Sequence, residues 1–269
     1  MLSSRVLTAI VGIPVVWASV YYSSVSFCCM MFVVSFMCVK EYLFISKKYN
    51  PRVCFSLVMA VMFFLFLCSF KNFHIDKVAL SAIVMMFVFF GIEIFGESPD
   101  LCVGRISTSF LGSFFIPLAF IHMVYIRNLH AGMKLVFFLF LVVWILDTAA
   151  YVFGKMFGKH KLAKNVSPKK TMEGAIAGVV FGVLTALICR CVFMKNILTF
   201  CESIVLGFVI AIVGQFSDFA ESIIKRDGDI KDSGKVIPGH GGFFDRFDSY
   251  MFAAPVMYYV LQFFQCGKP

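Results

Sequence analysis

Long apolar runs recur along this chain and constrain its fold more than any other feature. Nine of them are recognisable, at 6–24, 26–46, 53–70, 78–96, 106–126, 134–153, 174–194, 202–221 and 247–265. Each approaches the roughly 20 residues that a helix needs to cross a hydrocarbon core. Because backbone groups in lipid must be hydrogen-bonded within the protein, such runs predict membrane-spanning α-helices. The expected fold is therefore an all-α integral membrane protein, polytopic, with about nine transmembrane helices.

The composition agrees with this fold and excludes several classes of function. Hydrophobic residues make up 61% of the 269 residues and charged residues only 14%, whereas soluble domains carry roughly 25% charged residues. The net charge of +9 does not indicate nucleic-acid binding, because the bases lie beside carboxylates and form no basic, aromatic-studded face. The ten cysteines contain no C-x-x-C pair, so neither a disulfide framework nor a thiolate metal site is expected.

The distribution of basic residues predicts the orientation of the chain. With nine spans, two-thirds of the 24 Lys and Arg residues lie on the side of the N-terminus. The positive-inside rule then places the N-terminus in the cytoplasm of a multi-pass protein of the cell (inner) membrane.

Polar residues are concentrated in the second half of the chain. We expect residues 1–130 to form about five N-terminal transmembrane helices, and residues 131–269 to form a catalytic transmembrane region with cytoplasmic polar loops at 147–174 and 217–249. The second loop holds nearly half of the 15 acidic residues. In the first half, Glu41 and Glu93 are costly to bury and suggest the lining of an interior cavity.

The first polar loop suggests a phosphate-binding site. Asp147 lies deep in an apolar run, where a carboxylate needs a partner or a function, although a hydrogen-bonded packing role is the alternative. Ser167 is expected to cap a helix that has Pro168 at its first position. Lys170 and Thr171 then crowd the same helix N-terminus, where backbone N–H groups already favour anions.

The second polar loop suggests a site for a metal ion and phosphates. If the eighth helix continues, Asp218, Glu221, Ser222 and Lys225 form one stripe at i, i+3, i+4 and i+7. We also expect Asp245 and Asp248 to share one face at the start of the ninth helix. Carboxylate oxygens suit Mg²⁺, which usually keeps substrate phosphates as further ligands.

Other well-known sites are not supported by the sequence. No G-x-x-x-x-G-K-[ST] and no H-E-x-x-H pattern occurs, which argues against a P-loop and a zinc protease. His240 stands alone among glycines, so substrate contact or a loop role is favoured over metal binding. Ser233 and Ser249 lack a histidine at a persuasive spacing, which argues against acyl transfer.

Together the two polar loops resemble one known family. The second contains Ser222, Lys225-Arg226, Lys231-Asp232-Ser233-Gly234, Pro238–Gly242 and Asp245-Arg246-Phe247-Asp248-Ser249. The first contains Asp147-Thr148, Tyr151, Phe157-Gly158-Lys159, Lys161-Leu162, Ser167-Pro168, Lys170-Thr171 and Glu173-Gly174. This pattern resembles the phosphatidate cytidylyltransferases (CDP-diacylglycerol synthases), closely over the last four spans and only by hydropathy before them. Ser217 and Ala149 stand where the family usually has glycine.

The resemblance implies an activity for phospholipid biosynthesis. The family transfers CMP from CTP to phosphatidic acid, giving CDP-diacylglycerol and pyrophosphate, as a Mg²⁺-dependent nucleotidyltransferase. Residues implied to be catalytic are Asp218, Asp245, Asp248, Lys225 and Asp232. Of these, Asp218 and Asp245 are the implied Mg²⁺ ligands, and a second cation is left open. Residues implied to bind substrate are Arg226, Lys231, His240, Arg246, Ser167, Lys170, Thr171 and Asp147. A homodimer in the lipid bilayer is also implied.

Two alternative functions remain open. A CTP-dependent lipid-alcohol kinase would transfer the γ-phosphoryl group instead, but the full P-G-H-G-G and D-R-x-D-S pattern argues against it. A membrane transporter would spread its charges over many spans and show inverted repeats. This chain concentrates its carboxylates in one half, which favours the enzyme.

Overall fold

Helices account for most of the chain. The structure, a computed structural model, describes residues 2–49, 55–69, 75–96, 98–234 and 241–266. The helices are α1 (Leu2–Tyr22), α2 (Ser24–Ile45), α3 (Phe55–Ser69), α4 (Ile75–Ile94), α5 (Cys102–Phe110), α6 (Ile116–Asn128), α7 (Gly132–Phe157), α8 (Met172–Cys189), α9 (Phe200–Asp227), α10 (Phe244–Phe247) and α11 (Tyr250–Cys266). A 3₁₀ turn at Ser46–Tyr49 follows α2, and π-helical turns at Leu111–Phe115 and Arg190–Met194 follow α5 and α8.

The predicted apolar runs coincide with helices. Within the described residues, five helical stretches are long and apolar enough to cross a membrane: Ser24–Tyr49, Cys102–Asn128, Gly132–Phe157, Met172–Met194 and Phe200–Asp227. A mainly helical, multi-pass membrane protein is therefore confirmed. The number of crossings and the side of the N-terminus stay predictions.

A small β-hairpin departs from the expected all-α fold. Strand β1 (Lys161–Ala163) pairs antiparallel with β2 (Ser167–Thr171), and Lys161 lies opposite Thr171. The helix start predicted at Ser167 and Pro168 is therefore wrong, because both residues lie in β2. Proline disfavours the helical conformation of the residue before it, and a two-stranded edge tolerates its missing N–H.

The helix after the hairpin begins four residues later than predicted. Thr171 is the N-cap of α8, with extended backbone angles of φ −124° and ψ 155°. Its hydroxyl accepts a hydrogen bond of 3.2 Å from the Gly174 N–H. The threonine that the sequence placed inside the first turn therefore caps it instead.

The expected common helix face of Asp245 and Asp248 is also wrong. Asp245 lies in the single turn α10, whereas Asp248 lies in a turn that precedes α11. The Asp248 carboxylate accepts a 2.7 Å hydrogen bond from the Ser249 N–H. Such a local bond gives the backbone an alternative to continuing the helix.

The chain forms two compact units. The first comprises Met1–Val124 with Asp227–Arg246, and the second comprises Tyr125–Arg226 with Phe247–Pro269. The second polar loop is thus divided between the units, because Asp227–Arg246 is assigned to the first and the rest of the loop to the second.

An ion pair neutralises a buried carboxylate in the first unit. Glu93 lies 2.6 Å from the Arg105 guanidinium, and the two side chains are 8% and 9% exposed. Arg105 also donates to the carbonyl of Ser98 at 2.9 Å. Glu93 thus faces an arginine, which offsets the cost of burying its charge.

Close packing of α7 and α8 shapes the second unit. A side-chain carbon added at Gly174 would lie 2.5 Å from the carbonyl oxygen of Ala150 and 3.0 Å from Gly154. Glycine at this position lets the two helices approach closely. This approach brings the hairpin that precedes α8 against the end of α7.

Candidate active site

The end of α9 carries a polar stripe, as predicted. The helix is continuous to Asp227, so Asp218, Glu221 and Lys225 recur on one face. The Glu221 side chain is completely buried, and its carboxylate lies 2.5 Å from the Lys225 ammonium. An unpaired buried carboxylate would be strongly destabilising. The ion pair with Lys225 therefore offsets the cost of burying Glu221 at this position.

The turn before α11 brings a third carboxylate to the stripe. The Ser217 hydroxyl donates to the Asp248 carbonyl and accepts from the Phe252 N–H at 3.3 Å. Three carboxylate oxygens, one from each of Asp218, Glu221 and Asp248, then lie within 4.8 Å of one another. We call these three residues the carboxylate cluster.

The electrostatics of the carboxylate cluster favour a cation. Burial, together with the charges of Asp218, Glu221 and Asp147, raises the pKa of Asp248 well above its usual range. A divalent ion would remove this repulsion, and an all-oxygen donor set is what Mg²⁺ prefers. The residues present therefore fit a Mg²⁺ ion.

Lys170 joins the hairpin to α9. Its ammonium forms an ion pair with Asp218 and lies 4.1 Å from the centre of the Phe219 ring. The two polar loops together carry the resemblance to the family. Within the second unit, this lysine connects the first loop to the start of the second.

Glu173 fixes the turn between α7 and the hairpin. Its carboxylate accepts hydrogen bonds from the Lys159 N–H at 3.1 Å and the His160 N–H at 3.2 Å. The His160 Nδ1 lies 2.6 Å from the same carboxylate. A carboxylate in the first turn of a helix is also favoured by the helix dipole. The resemblance includes Glu173, but sequence reasoning assigned it no role.

A basic cavity lies beside these groups. Its volume is about 670 Å³, within the range of about 300–1,000 Å³ that is usual for ligand pockets. It is lined by Asp147, Ala150, Tyr151, Gly154, Lys155, Gly158, Lys161, Leu162, Lys169, Lys170, Thr171, Gly174, Ala175, Gln215 and Asp218. Four lysines facing one cavity provide point charges suited to phosphate oxygens.

The structure brings part of the predicted site together in the second unit. Asp147, Lys170, Thr171 and Asp218 line the cavity, whereas Ser167 is half-buried in β2. Within the same unit, Arg226 reaches back to the hairpin turn. Its Nε donates to the carbonyl of Val166 at 3.1 Å.

The remaining predicted residues lie in the first unit or outside the description. Lys231, Asp232 and Arg246 are exposed, and His240 lies outside the described residues. One carboxylate oxygen of Asp245 accepts hydrogen bonds from the N–H groups of Ser233 and Gly242, both at 2.9 Å. The metal role of Asp245 stays a prediction.

Several site residues were not singled out by the sequence. Glu221 was placed on the stripe but not proposed as a ligand, although its i+3 spacing from Asp218 was the signal. Lys155, Lys161 and Lys169 also line the cavity, although none of them is among the site residues that the resemblance implies. Their convergence on one cavity depends on the hairpin.

Comparison with known proteins identifies related sequences. The model of the cytidylyltransferase family matches residues 3–264. A phosphatidate cytidylyltransferase of Bacillus subtilis (strain 168) is 38% identical over 155 residues, which are 57% of this chain and 57% of that protein. The phosphatidate cytidylyltransferase of Staphylococcus aureus (strain COL) is 43% identical over 130 residues, 47% of this chain and 48% of that protein. The chain thus spans about half the length of the curated relatives it matches.

The capping role of Thr171 can be tested by substitution. Thr171→Ala should lower the free energy of unfolding by about 1 kcal/mol, because the Gly174 N–H loses its acceptor. Thr171→Ser keeps the hydroxyl and should remain close to the unaltered protein. Thermal unfolding in detergent measures both variants, and equal losses in the two would contradict the cap.

Proposed function

This chain belongs to the cytidylyltransferase family, and we propose that it transfers CMP from CTP to phosphatidic acid. The products are CDP-diacylglycerol and pyrophosphate. The family match over residues 3–264 carries this proposal, and relatives named phosphatidate cytidylyltransferase support the choice of substrates. The basic cavity beside the carboxylate cluster supplies groups that suit two phosphate-bearing substrates.

The proposed reaction is a direct displacement at phosphorus. An oxygen of the lipid phosphate attacks the α-phosphorus of CTP, and the bond to the bridging oxygen of the β-phosphate breaks. Pyrophosphate leaves with that electron pair. The step needs no covalent enzyme intermediate, so catalysis consists of positioning and charge neutralisation.

The lysines of the cavity would bind the phosphate groups. Lys155, Lys161 and Lys169 face the cavity from the end of α7 and from the hairpin. Lys170 also pairs with Asp218, so it can orient a phosphate relative to the carboxylate cluster. Holding both substrates in this way lowers the repulsion between two anionic reactants.

The carboxylate cluster would hold Mg²⁺. Asp218 and Glu221 of α9, together with Asp248 of the turn before α11, supply the oxygens. When bound, the ion would neutralise charge on the transferring phosphoryl group. Asp245 remains a proposed ligand from the family resemblance alone, and a second cation is left open.

Residues of the segment 227–246 complete the proposal. Lys231 and Arg246 are proposed to bind substrate phosphates, His240 to contact substrate, and Asp232 to support catalysis. Arg226 and Lys225, at the end of α9, are proposed to act with them. These assignments rest on the resemblance of the second polar loop to the family.

The protein is proposed to span the cell (inner) membrane about nine times as a homodimer, with both polar loops in the cytoplasm. Asn165→Cys in the hairpin turn should then react with an impermeant thiol reagent only in inside-out vesicles. Asn128→Cys should react only in vesicles of the opposite orientation. The unaltered chain sets the background from native cysteines, and the reverse pattern would contradict the orientation.

An assay of the purified protein tests the activity. With labelled CTP, phosphatidic acid and Mg²⁺, we expect CDP-diacylglycerol and pyrophosphate release that depends on the lipid. Omitting Mg²⁺ should abolish both. A nucleoside diphosphate product would instead indicate a lipid kinase, and absence of both products would remove the support for an enzyme of this class.

Variants of the carboxylate cluster test the metal site. Asp218→Asn, Glu221→Gln and Asp248→Asn should each weaken Mn²⁺ binding, measured by electron paramagnetic resonance, by about tenfold or more. Each should also abolish CDP-lipid formation while the protein still inserts. Asp229→Asn is the matched control, since Asp229 is exposed and its φ of 55° is tolerated by asparagine.

The Mn²⁺ titration also distinguishes two candidate sets of ligands. One is the carboxylate cluster, and the other is the pair Asp218 and Asp245. A loss of Mn²⁺ binding in Asp245→Asn would support the pair implied by the resemblance. Unchanged Mn²⁺ binding in Glu221→Gln would exclude Glu221 as a ligand.

A further inference from the structure

Glu41 is a buried carboxylate that the proposed reaction does not use. It lies near the end of α2 in the first unit and is 6% exposed. Its carboxylate accepts hydrogen bonds from the Ser233 hydroxyl at 2.7 Å, the Phe243 N–H at 3.0 Å and the Phe244 N–H at 3.0 Å. All three donors lie about 190–200 residues further along the chain.

The chemistry of these contacts suits a carboxylate. The three described donors are uncharged, and the two oxygens of a carboxylate have acceptor sites enough for all of them. A glutamine would present an NH₂ group to one of these donors and leave that donor unsatisfied.

The contacts of Glu41 join two described stretches of the chain. Ser233 belongs to the stretch that ends at residue 234, and Phe243 and Phe244 belong to the stretch that begins at residue 241. A single side chain of α2 therefore holds these two stretches together. A side-chain carbon at Gly234 would lie 2.8 Å from the Glu41 carboxylate, so glycine leaves room for the close approach.

Ser233 links Glu41 to Asp245. Its hydroxyl lies 2.7 Å from the Glu41 carboxylate and 3.0 Å from the Asp245 carboxylate. The Ser233 N–H donates to the same Asp245 oxygen at 2.9 Å. Displacing Ser233 would therefore change the position of Asp245, which the family resemblance implicates in catalysis.

A weaker contact holds the start of the same segment. Lys48 and Asp227 form an ion pair of 2.6 Å, with side chains 44% and 48% exposed. Because exposed ion pairs contribute little to stability, the buried Glu41 contacts dominate the anchoring.

We propose that Glu41 is a positioning residue, which anchors Ser233, Phe243 and Phe244 and through Ser233 sets the position of Asp245. The functional half of this inference rests on the proposed cytidylyl transfer. Glu41 itself touches no reacting group. Its effect on turnover would arise because small displacements of reacting groups lower rates strongly.

Hydrogen exchange tests the anchoring without any substrate. In Glu41→Gln, the amides of peptides covering 241–246 should exchange faster, because their acceptor is weakened. Glu93→Gln is the matched control, since it removes a buried carboxylate of the same unit that pairs with Arg105. Unchanged exchange at 241–246 in Glu41→Gln would overturn the proposal.

Kinetics then test the positioning role. Glu41→Gln should lower kcat roughly 10- to 100-fold with KM for CTP changed much less, at a temperature where it and Glu93→Gln are both folded. Glu93→Gln should retain most of the turnover. Faster exchange with unchanged kcat would overturn the positioning role.

A second variant covers the case in which Glu41→Gln does not fold. Ser233→Ala removes the hydroxyl that lies between the Glu41 and Asp245 carboxylates. It leaves Glu41 with its two backbone donors and Asp245 with the Ser233 N–H. It should lower kcat in the same direction, and normal turnover would overturn the proposal. If the unaltered protein forms no CDP-lipid, the proposed function fails, whereas the exchange result still decides the anchoring.

Discussion

Carboxylates buried in an apolar chain need donors or cations, and much of this structure depends on how that need is met. Glu93 is neutralised by Arg105, Glu221 by Lys225, and Glu41 is satisfied by donors from a remote loop. Each of these ion pairs or hydrogen-bond sets holds one helix face against particular partner residues. Polar contacts thus specify positions that interchangeable apolar packing would leave less defined.

In the second unit the same requirement produces a concentration of opposite charges. The carboxylate cluster brings three acidic side chains together beside two lysines, Lys170 and Lys225. Lysines of the hairpin face the adjoining cavity. Such a site favours a divalent ion on one side and phosphates on the other, which is the arrangement that a phosphoryl displacement needs.

Sequence reasoning succeeded where a single periodic pattern determines the geometry. The apolar runs predicted the helices, and the i, i+3 and i+7 spacing placed Asp218, Glu221 and Lys225 on one face of α9. It failed where local backbone conformation competes with the helix. Ser167 and Pro168 lie in a strand, and the turn at Asp248 separates that residue from α10.

The sequence by itself determined a helical, multi-pass membrane protein, its family and the two polar loops that carry its charged groups. Only the tertiary structure decided which of those groups meet. The carboxylate cluster needs the turn that returns Asp248 to α9, and the contacts of Glu41 join residues about 200 positions apart. Periodicity reports the face of one helix, whereas the pairing of distant segments depends on how their backbones turn and pack.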